Sequence, residues 1–426
     1  MIKLNKQKRL LLSAIVALQV LSGIGAILMI TRKFGVGIDT DIYFLSQAIP
    51  LTFFAILSTP IMNVWIGTLS KITDQVQLSR KYGALGTSVA LLCLLSLCSL
   101  PLIEELVELI YTSYSNEITK KISEYTSVLM IAAIFELFAL PMLIYARSRD
   151  RFLLVESIYM VTSFIHFAFI YSMRSDTDFS TIIYLILLRS ILISVAALVF
   201  IGFPKLNLEA FSSKEQAWRQ MLPVFILGAV TKNNSIVDNV IISSSGAGNV
   251  SIYSISMMII STIGRIIQKS WFSTDVPHYN RLIAEKDFSN VRIELSQTLI
   301  HSLIASIVVF SLVLCLREPI EMIIGLVLLT EDASSSRIFL VTCLLFGSIF
   351  TSTYGTLPVA ILYGLGSTLL PSLIGITSFF GGIVVKLLFF QFYGLEGVAI
   401  GHTLYFLFTT ILISFCLDYK LRKMKR

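Results

Sequence analysis

The chain has 426 residues, of which 55% are hydrophobic and 14% are charged, and it carries a net charge of +7 at pH 7. A soluble domain contains about 25% charged residues, so this chain has far fewer than solubility in water usually requires. Its 33 Lys and Arg residues form no long stripe along which a phosphate backbone could bind. These features argue against a soluble enzyme, a nucleic-acid-binding protein and a disordered scaffold, and they predict a protein embedded in a lipid bilayer.

Twelve apolar stretches are long enough to cross a membrane as helices, for which about 20 residues are needed. They lie at approximately 10–31, 42–69, 82–104, 125–146, 152–173, 181–203, 220–244, 250–272, 298–316, 338–363, 368–391 and 394–417. The basic start of the chain runs into the first stretch without a small-residue cleavage site, which indicates a retained helix rather than a signal peptide. The sequence therefore predicts an all-α polytopic membrane protein with twelve transmembrane helices and no soluble catalytic domain.

Cysteine and histidine give no sign of a metal centre. The five cysteines all lie in apolar runs, and neither they nor the four scattered histidines have the spacing of metal ligands. We interpret the cysteines as small apolar side chains, and we expect neither a metal nor a cofactor.

The distribution of Lys and Arg predicts the orientation of the chain in the membrane. With the N-terminus inside, 22 of them fall in cytoplasmic segments and 7 in outer segments. Because Lys and Arg accumulate on the cytoplasmic side, we expect both termini to be cytoplasmic. The remaining four lie within predicted helices; they are Arg189, Lys232, Arg265 and Lys386.

The two halves of the chain resemble copies of one six-helix unit. Three motifs recur in the same order at offsets of 210 to 218 residues, close to half the chain length. They are Gly35-Val36-Gly37 before Tyr43 with Gly246-Ala247-Gly248 before Tyr253, Pro101 with Pro319, and Pro141 with Pro358. Because six is an even number, both copies cross the membrane in the same sense. We therefore expect two lobes, 1–208 and 209–426, related by a parallel internal repeat with a substrate path between them, as in an alternating-access transporter.

Two glycine-containing junctions carry a resemblance to a known superfamily. One runs from Phe34-Gly35-Val36-Gly37 to Asp41-Ile42-Tyr43, and the other runs from Val237-Asp238-Asn239 through Gly246-Ala247-Gly248 to Tyr253. Together with the paired prolines, they resemble the helix 1–2 and helix 7–8 junctions of the multidrug/oligosaccharidyl-lipid/polysaccharide exporter superfamily. The likeness is to its bacterial O-antigen and polysaccharide-unit flippases, which have twelve helices, whereas the related lipid II flippases often have two more.

The resemblance implies a function and a set of partners. A protein of this kind moves an oligosaccharide linked to undecaprenyl pyrophosphate from the inner to the outer leaflet of the bacterial inner membrane, and its transport is coupled to an ion gradient. Its partners would be the lipid-linked oligosaccharide, membrane lipids and the polysaccharide polymerase machinery, with no nucleic acid. It would not be an enzyme.

Charged side chains within the predicted helices are the main candidates for the substrate site. A charge at mid-membrane costs about 2.5–3.5 kcal/mol on insertion scales, so it is usually paired or faces a cavity. We expect Lys232 and Arg265 to line the cavity and to bind the pyrophosphate, which needs fixed cations as partners. The alternative is that they form structural pairs, for instance with Glu136 or Asp238.

The seventh predicted helix is the most polar of the twelve. Asn233 and Asn234 follow Lys232, and Asp238 lies one turn after Asn234 on the same face. A helix with polar groups on more than one face is not expected to face lipid, so this helix should line the cavity. Its amides could bind sugar hydroxyls or neighbouring helices, and Asp238 is a candidate for ion coupling or for a counter-ion.

Other helices supply four further residues of interest. Arg189 and Gln47 are candidates for the cavity lining, and Glu136 is a candidate for proton coupling or for a counter-ion to Arg189. Lys386 lies near the outer end of its predicted helix, and we expect it to snorkel to the outer interface rather than to contact substrate.

Two other functions stay open at this point. A multidrug or small-solute exporter of the same superfamily would have the same two lobes. A membrane polysaccharide polymerase or ligase would have a similar number of helices, but such enzymes carry a large outer loop with catalytic basic residues. Here the outer segments near 105–124 and 317–337 are short and hold more acidic than basic residues.

Overall fold

The structure is a computed structural model, and it describes residues 6–70, 72, 74–174, 177–206, 225–267, 279, 282–283, 285–328, 332–365, 367 and 369–425. Within these residues the chain is helical and has no strand, and nine helices are long and apolar enough to cross a membrane. The chain divides into two compact units, Met1–Ile236 and Val237–Arg426. The lobe boundary predicted at 208/209 lies outside the described residues and stays a prediction.

Residues 225–231 of the first unit are helical, and its other seven described α-helices lie within residues 6–206. They are α1 (Lys6–Phe34), α2 (Ile38–Ser70), α3 (Gln75–Cys98), α4 (Ile103–Ile110), α5 (Asn116–Ser148), α6 (Phe152–Ser172) and α7 (Ser180–Phe200). All except α4 coincide with the first six predicted membrane spans. The third of those spans, 82–104, was predicted to begin and end too late, because α3 runs from Gln75 to Cys98 and a short 3-10 turn follows with Pro101 in its first positions. Proline cannot continue a helix but is well suited to begin one.

The core of the first unit is built around α5. This helix packs against α2, α3, α4 and α7, while α1 packs against α6. One core cluster of this unit includes the fully buried Trp65 of α2 together with Leu137 and Leu140 of α5. Apolar packing of this kind, supported by hydrogen bonds between helices, holds helices together where lipid removes the hydrophobic driving force.

The rest of the chain contains eight described helices. They are α8 (Asn234–Ser243), α9 (Asn249–Ile267), α10 (Phe288–Cys315), α11 (Arg317–Leu328), α12 (Asp332–Leu344), α13 (Gly347–Tyr354), α14 (Thr356–Gly364) and α15 (Leu369–Lys425). The tenth predicted span, 338–363, is therefore divided among α12, α13 and α14 rather than being one helix. The segments near 105–124 and 317–337, which the sequence predicts to be outer, contain the short helices α4 and α11.

The helix α15 covers the eleventh and twelfth predicted spans as two arms joined at Gly394. This glycine has φ 57° and ψ −132°, which no helix contains and which glycine tolerates best. The two arms lie side by side, because a Cβ placed on Gly401 would come within 2.9 Å of the Cα of Lys386. The single residue Gly394 thus separates two membrane-spanning arms that pack on each other.

One hydrogen bond between helices recurs in both units. In the first, Ser46 Oγ shares its proton between the carbonyl oxygen of Ile42 in its own helix, at 2.6 Å, and that of Ile122 in α5, at 3.3 Å; in the second, Ser256 Oγ donates to the carbonyl oxygen of Ile338 in α12 at 3.1 Å. The serines are 210 residues apart and the acceptors 216. These offsets match those of the sequence repeat, so the repeat extends to a contact between corresponding helices.

Candidate functional site

The polar segment around Lys232 interrupts the seventh predicted helix. Residues 225–231 are helical, Lys232 and Asn233 form a turn, and α8 begins at Asn234. The amide of Asn233 donates to the carbonyl oxygen of Ala229, as short polar side chains do when they compete for backbone acceptors. The prediction of one unbroken helix over 220–244 was therefore wrong, while residues 207–224 lie outside the described part of the chain.

The turn leaves Lys232 with an exposed side chain, whereas Asn233 and Asn234 are half-buried. Thr52 of α2 donates to the carbonyl oxygen of Lys232 at 3.4 Å, so a neighbouring helix holds the turn. The ammonium of Lys232 is thus available to a ligand, as a substrate-binding residue requires.

Arg265, the other cation expected in the substrate cavity, lies in α9 near its end at Ile267. Its side chain is outside what the structure describes. The acidic residues named as its alternative partners, Glu136 and Asp238, pair with Arg189 and Lys386 instead.

Asp238 is the centre of a buried cluster of polar side chains. Its carboxylate accepts from Lys386 Nζ at 2.5 Å on one oxygen, and its second oxygen accepts from the hydroxyl of Tyr253 at 2.7 Å and lies 3.0 Å from His402 Nδ1. The Lys386 and Asp238 side chains are each 1% exposed. Four segments supply these groups: α8, α9 and the two arms of α15.

The expected position of Lys386 was wrong. The residue does not reach the outer interface, because its ammonium is buried against Asp238 and lies 5.5 Å from the ring centroid of Tyr405. A lysine side chain extends to the membrane surface when no acidic partner lies at the same depth in the membrane. Here Asp238 sits five residues before the end of α8 and supplies that partner.

His402 and Tyr253 were not recognised as site residues from the sequence. Tyr253 was noted only as part of the repeat motif, and His402 only as one of four scattered histidines. An ionisable residue within a membrane helix is a functional candidate by default, and this rule applied to His402 would have identified it. Nothing in the sequence indicated that it lies beside a residue 164 positions away.

The chemistry of this cluster follows from its proton count. A carboxylate can only accept hydrogen bonds, so its contact with His402 assigns a proton to Nδ1, which donates to Asp238. The imidazole is neutral when its second ring nitrogen, Nε2, carries no proton and positively charged when Nε2 is protonated. With His402 neutral, Lys386 and Asp238 cancel and the cluster has no net charge. A second proton on His402 would place two cations around one carboxylate in a site closed to water, which favours rearrangement.

A second polar cluster lies in the first unit. Glu136 of α5 accepts from Arg189 Nη2 at 2.9 Å and from Ser190 Oγ at 3.0 Å. This pair is less buried than the first, with side-chain exposures of 31% for Arg189 and 17% for Glu136. Arg189 Nε is buried and has no hydrogen-bond partner among the described residues. The guanidinium therefore keeps donor capacity beyond its pairing with Glu136.

Gln47 belongs to the same part of the first unit. It is half-buried and lies one turn after Tyr43 in α2, and the charge of Arg189 acts on the hydroxyl of that tyrosine. The structure thus pairs Glu136 with Arg189 and places Gln47 one turn after Tyr43, on which the charge of Arg189 acts. Tyr43 and Tyr253 are the paired tyrosines of the repeat, and each lies beside the charged cluster of its own unit.

Comparison with known proteins gives a fold but no close relative. No family model and no curated protein matches the sequence. The lipid II flippase MurJ, in an inward closed conformation, matches with a TM-score of 0.78 at 14% identity over 97% of this chain and 90% of its own. An inward-facing multidrug resistance MATE family transporter of the MOP superfamily matches at 0.67, with 13% identity over 96% and 95% of the two chains. The eukaryotic MATE transporter AtDTX14 matches at 0.63, with 14% identity over 98% of each chain.

These similarities confirm the predicted fold class: an all-α polytopic membrane protein with twelve transmembrane helices in two lobes. The solved structures are transporters and a flippase rather than enzymes. The chain therefore has the fold of this exporter superfamily, as the junction motifs indicated.

Proposed function

We propose that the protein is a flippase that moves an oligosaccharide linked to undecaprenyl pyrophosphate, such as an O-antigen repeat unit, across the bacterial inner membrane by alternating access. The observation that carries this proposal is the similarity to the lipid II flippase MurJ over 97% of the chain. Both termini are cytoplasmic in this proposal, as the distribution of Lys and Arg predicts. The polysaccharide polymerase machinery would receive the product.

The substrate site in this proposal is cationic. Lys232 and Arg265 bind the pyrophosphate, Asn233 and Asn234 bind sugar hydroxyls, and Arg189 adds a third cation. The exposed side chain of Lys232 and the 31% exposed side chain of Arg189 support these roles, because both cations can be reached by a ligand. Gln47 contributes to the same lining.

We assign ion coupling to the two paired carboxylates within the membrane helices. Asp238 is the first candidate, because protonation of His402 beside it would change the charge of a closed cluster that holds both arms of α15. Glu136 is the corresponding group in the first unit, where Arg189 is its counter-ion.

Substitution of the two main cations tests the flippase. Lys232→Ala and Arg265→Ala should each reduce surface polysaccharide at least tenfold in a bacterium that lacks its own O-unit flippase and expresses this protein. Lys423→Ala is the matched control, because Lys423 is an exposed lysine near the C-terminus. Unchanged polysaccharide in both variants, at normal expression, would show that the substrate site lies elsewhere.

The second candidate function is export of drugs or other small solutes, which is favoured by the match to a multidrug resistance MATE family transporter at a TM-score of 0.67. Reduced accumulation of cationic drugs in cells that express the protein, with no effect on surface polysaccharide, would decide for it. Transfer of glycosyl groups by the purified protein would instead support the third candidate, a polysaccharide polymerase or ligase.

A further inference from the structure

A separate pocket lies at one end of the first unit, where α1 ends and where α2, α5 and α7 begin. Its volume is about 250 Å³. The side chains that give it its chemistry are Phe34, Tyr125 and Phe179, which are aromatic, and Asp39, Lys121 and Asp178, which are charged. None of the six belongs to the polar clusters around Asp238 and Glu136.

The aromatic wall of the pocket is part of the core. Phe179 is buried, and its ring packs edge-on against Phe34 with centroids 4.7 Å apart and against Tyr43 at 5.9 Å. The ring of Tyr125 is stacked on Phe179 at 6.4 Å. Because these rings are fixed by packing on their far sides, the pocket exists before any ligand arrives, which lowers the cost of binding.

The polar side of the pocket carries fixed acceptors. The hydroxyl of Ser180 donates to Asp178 at 2.5 Å. That bond, backbone N–H groups of Ser180 and Phe179, and the charge of Lys121 hold the pKa of Asp178 below its usual value. Asp178 is therefore ionised at neutral pH and keeps lone pairs for a ligand, and Asp39 in the first turn of α2 is exposed.

The charge balance of the pocket decides the class of ligand. Two carboxylates against one ammonium disfavour a phosphate or another anion. The ammonium of Lys121, close to Asp178, also disfavours a small organic cation. A neutral ring with several hydroxyl groups suits both sides: its hydroxyls donate to the carboxylates and accept from Lys121, while its C–H groups lie on the electron-rich faces of the aromatic rings.

We propose that this pocket binds one hexopyranose ring. Its volume is below the roughly 300–1,000 Å³ of sites for drug-sized ligands, which suits a single sugar better than a disaccharide. The distribution of Lys and Arg assigns this end of the unit to the outer side of the membrane. In the flippase proposed above, on which this physiological role rests, the pocket holds a sugar of the oligosaccharide once it has reached the outer side.

Binding of free sugars to the purified full-length protein tests the pocket without any transport. Saturation-transfer difference NMR in detergent, with glucose, galactose and N-acetylglucosamine as probes, should show millimolar binding of at least one sugar, with the strongest transfer to ring C–H protons. Tyr125→Leu and Asp39→Asn should each reduce the signal at least fivefold. Asp39 is exposed, so its variant is expected to fold even if the Tyr125 variant does not.

Glu124→Gln is the matched control, because Glu124 is exposed beside Tyr125 but does not line the pocket; it should bind sugar like the unmodified protein. No transfer to any of the three sugars, equal transfer in Asp39→Asn, or displacement of sugar by tetramethylammonium would overturn the proposal. Polysaccharide export that depends on Lys232 without sugar binding would refute only the pocket. Sugar binding without export would refute only the flippase.

Discussion

Asp238 and Lys386 form an ion pair that the surrounding helices close off from water. Two opposite charges in a site closed to water are stable only when both are paired and hydrogen-bonded. Tyr253 and His402 complete the hydrogen bonding of the carboxylate, and the ring of Tyr405 lies beside the ammonium. Loss of either charge leaves the other without compensation.

Substitution of Lys386 should therefore destabilise the protein strongly. Lys386→Met removes the cation and leaves Asp238 buried and unpaired, which should lower the free energy of unfolding by about 3–5 kcal/mol. Combining it with Asp238→Asn should restore most of that loss, because the double variant contains no uncompensated charge. Thermal unfolding of the purified protein in detergent measures both.

An exposed ion pair provides the comparison for Lys386. Arg422 donates to Asp418 at 2.8 Å, but its side chain is 61% exposed. Arg422→Met should cost only about 0–1 kcal/mol. If the Lys386 variant lost no more stability than this control, or if the double variant lost the sum of its single substitutions, the cluster would not be the closed network described above.

Individual residues show where reasoning from sequence reached its limit. The unusual polarity around Lys232 was visible, and Arg189 and Glu136 were named as a pair from their depth. The cluster at Asp238 could not be assembled, because its members lie up to 164 residues apart and depth along a helix does not specify a facing partner. Lys386 was misplaced for the same reason.

At the scale of helices, the close contact between the arms of α15 depends on glycine. A Cβ on Gly401 would approach the Cα of Lys386 to 2.9 Å, and one on Gly382 would approach the ring of Tyr405 to 2.6 Å. Small residues allow such approach between membrane helices. The approach at Gly401 lets Lys386 and His402, on different arms, reach one carboxylate.

Gly401→Ala should therefore separate the arms and weaken the cluster. Overpacking of this kind costs about 1–3 kcal/mol, and thermal unfolding should show the loss. Gly381→Ala is the matched control on the same helix, because a Cβ there has nothing within 4 Å; alanine's helix propensity should leave its stability equal or raise it by up to ~1 kcal/mol. Equal losses in both variants would show that the contact at Gly401 is not limiting.

At the same scale, the side chain of Lys33 caps the C-terminus of α6. The ammonium donates to the carbonyl oxygens of Ile170, at 2.7 Å, and of Met173. A cation at the C-terminus of a helix satisfies free carbonyls and opposes the negative end of the dipole. Lys33 thereby ties the end of α1 to the end of α6.

Lys33→Met should release the last turn of α6. We expect a loss of about 1–2 kcal/mol in the free energy of unfolding and faster amide hydrogen exchange in the last turn of α6. Arg32→Met is the control, since Arg32 is the exposed neighbour in the same helix. Exchange rates that rise equally in both variants would refute the specific role of Lys33.

Helix limits were predictable only where a local signal set them. The junction at Gly394 separates two spans that were predicted separately. The end of α3 at Cys98 was missed although Pro101 follows it, because prolines also lie inside α2 and α5. The division of the tenth span into α12, α13 and α14 has no such signal over its apolar sequence. A run of apolar residues establishes that a segment can cross a membrane, but not that it does so as one helix.

At the scale of the whole molecule, the two units share the motifs of the internal repeat and also contacts between corresponding helices. Ser46 and Ser256 hold corresponding helices, and Tyr43 and Tyr253 stand beside the charged residues of their own units. The clusters have diverged: the one in the first unit is half-buried with spare donors, whereas the one in the second unit is closed. In the proposed flippase, this asymmetry suits substrate contact at Arg189 and ion coupling at Asp238.

The orientation of the molecule is the last prediction, and it determines on which side the sugar pocket opens. In a variant with its five cysteines replaced by serine, Glu117→Cys should react with an impermeant thiol reagent in intact spheroplasts. Gln77→Cys should react only after the membrane is permeabilised, because it lies on the side to which most Lys and Arg are assigned. Both positions are exposed, so access to the reagent depends on the side of the membrane rather than on burial. The reverse pattern would place the termini outside and the pocket at Asp39 and Tyr125 in the cytoplasm, where it would meet the sugar before translocation instead of after it.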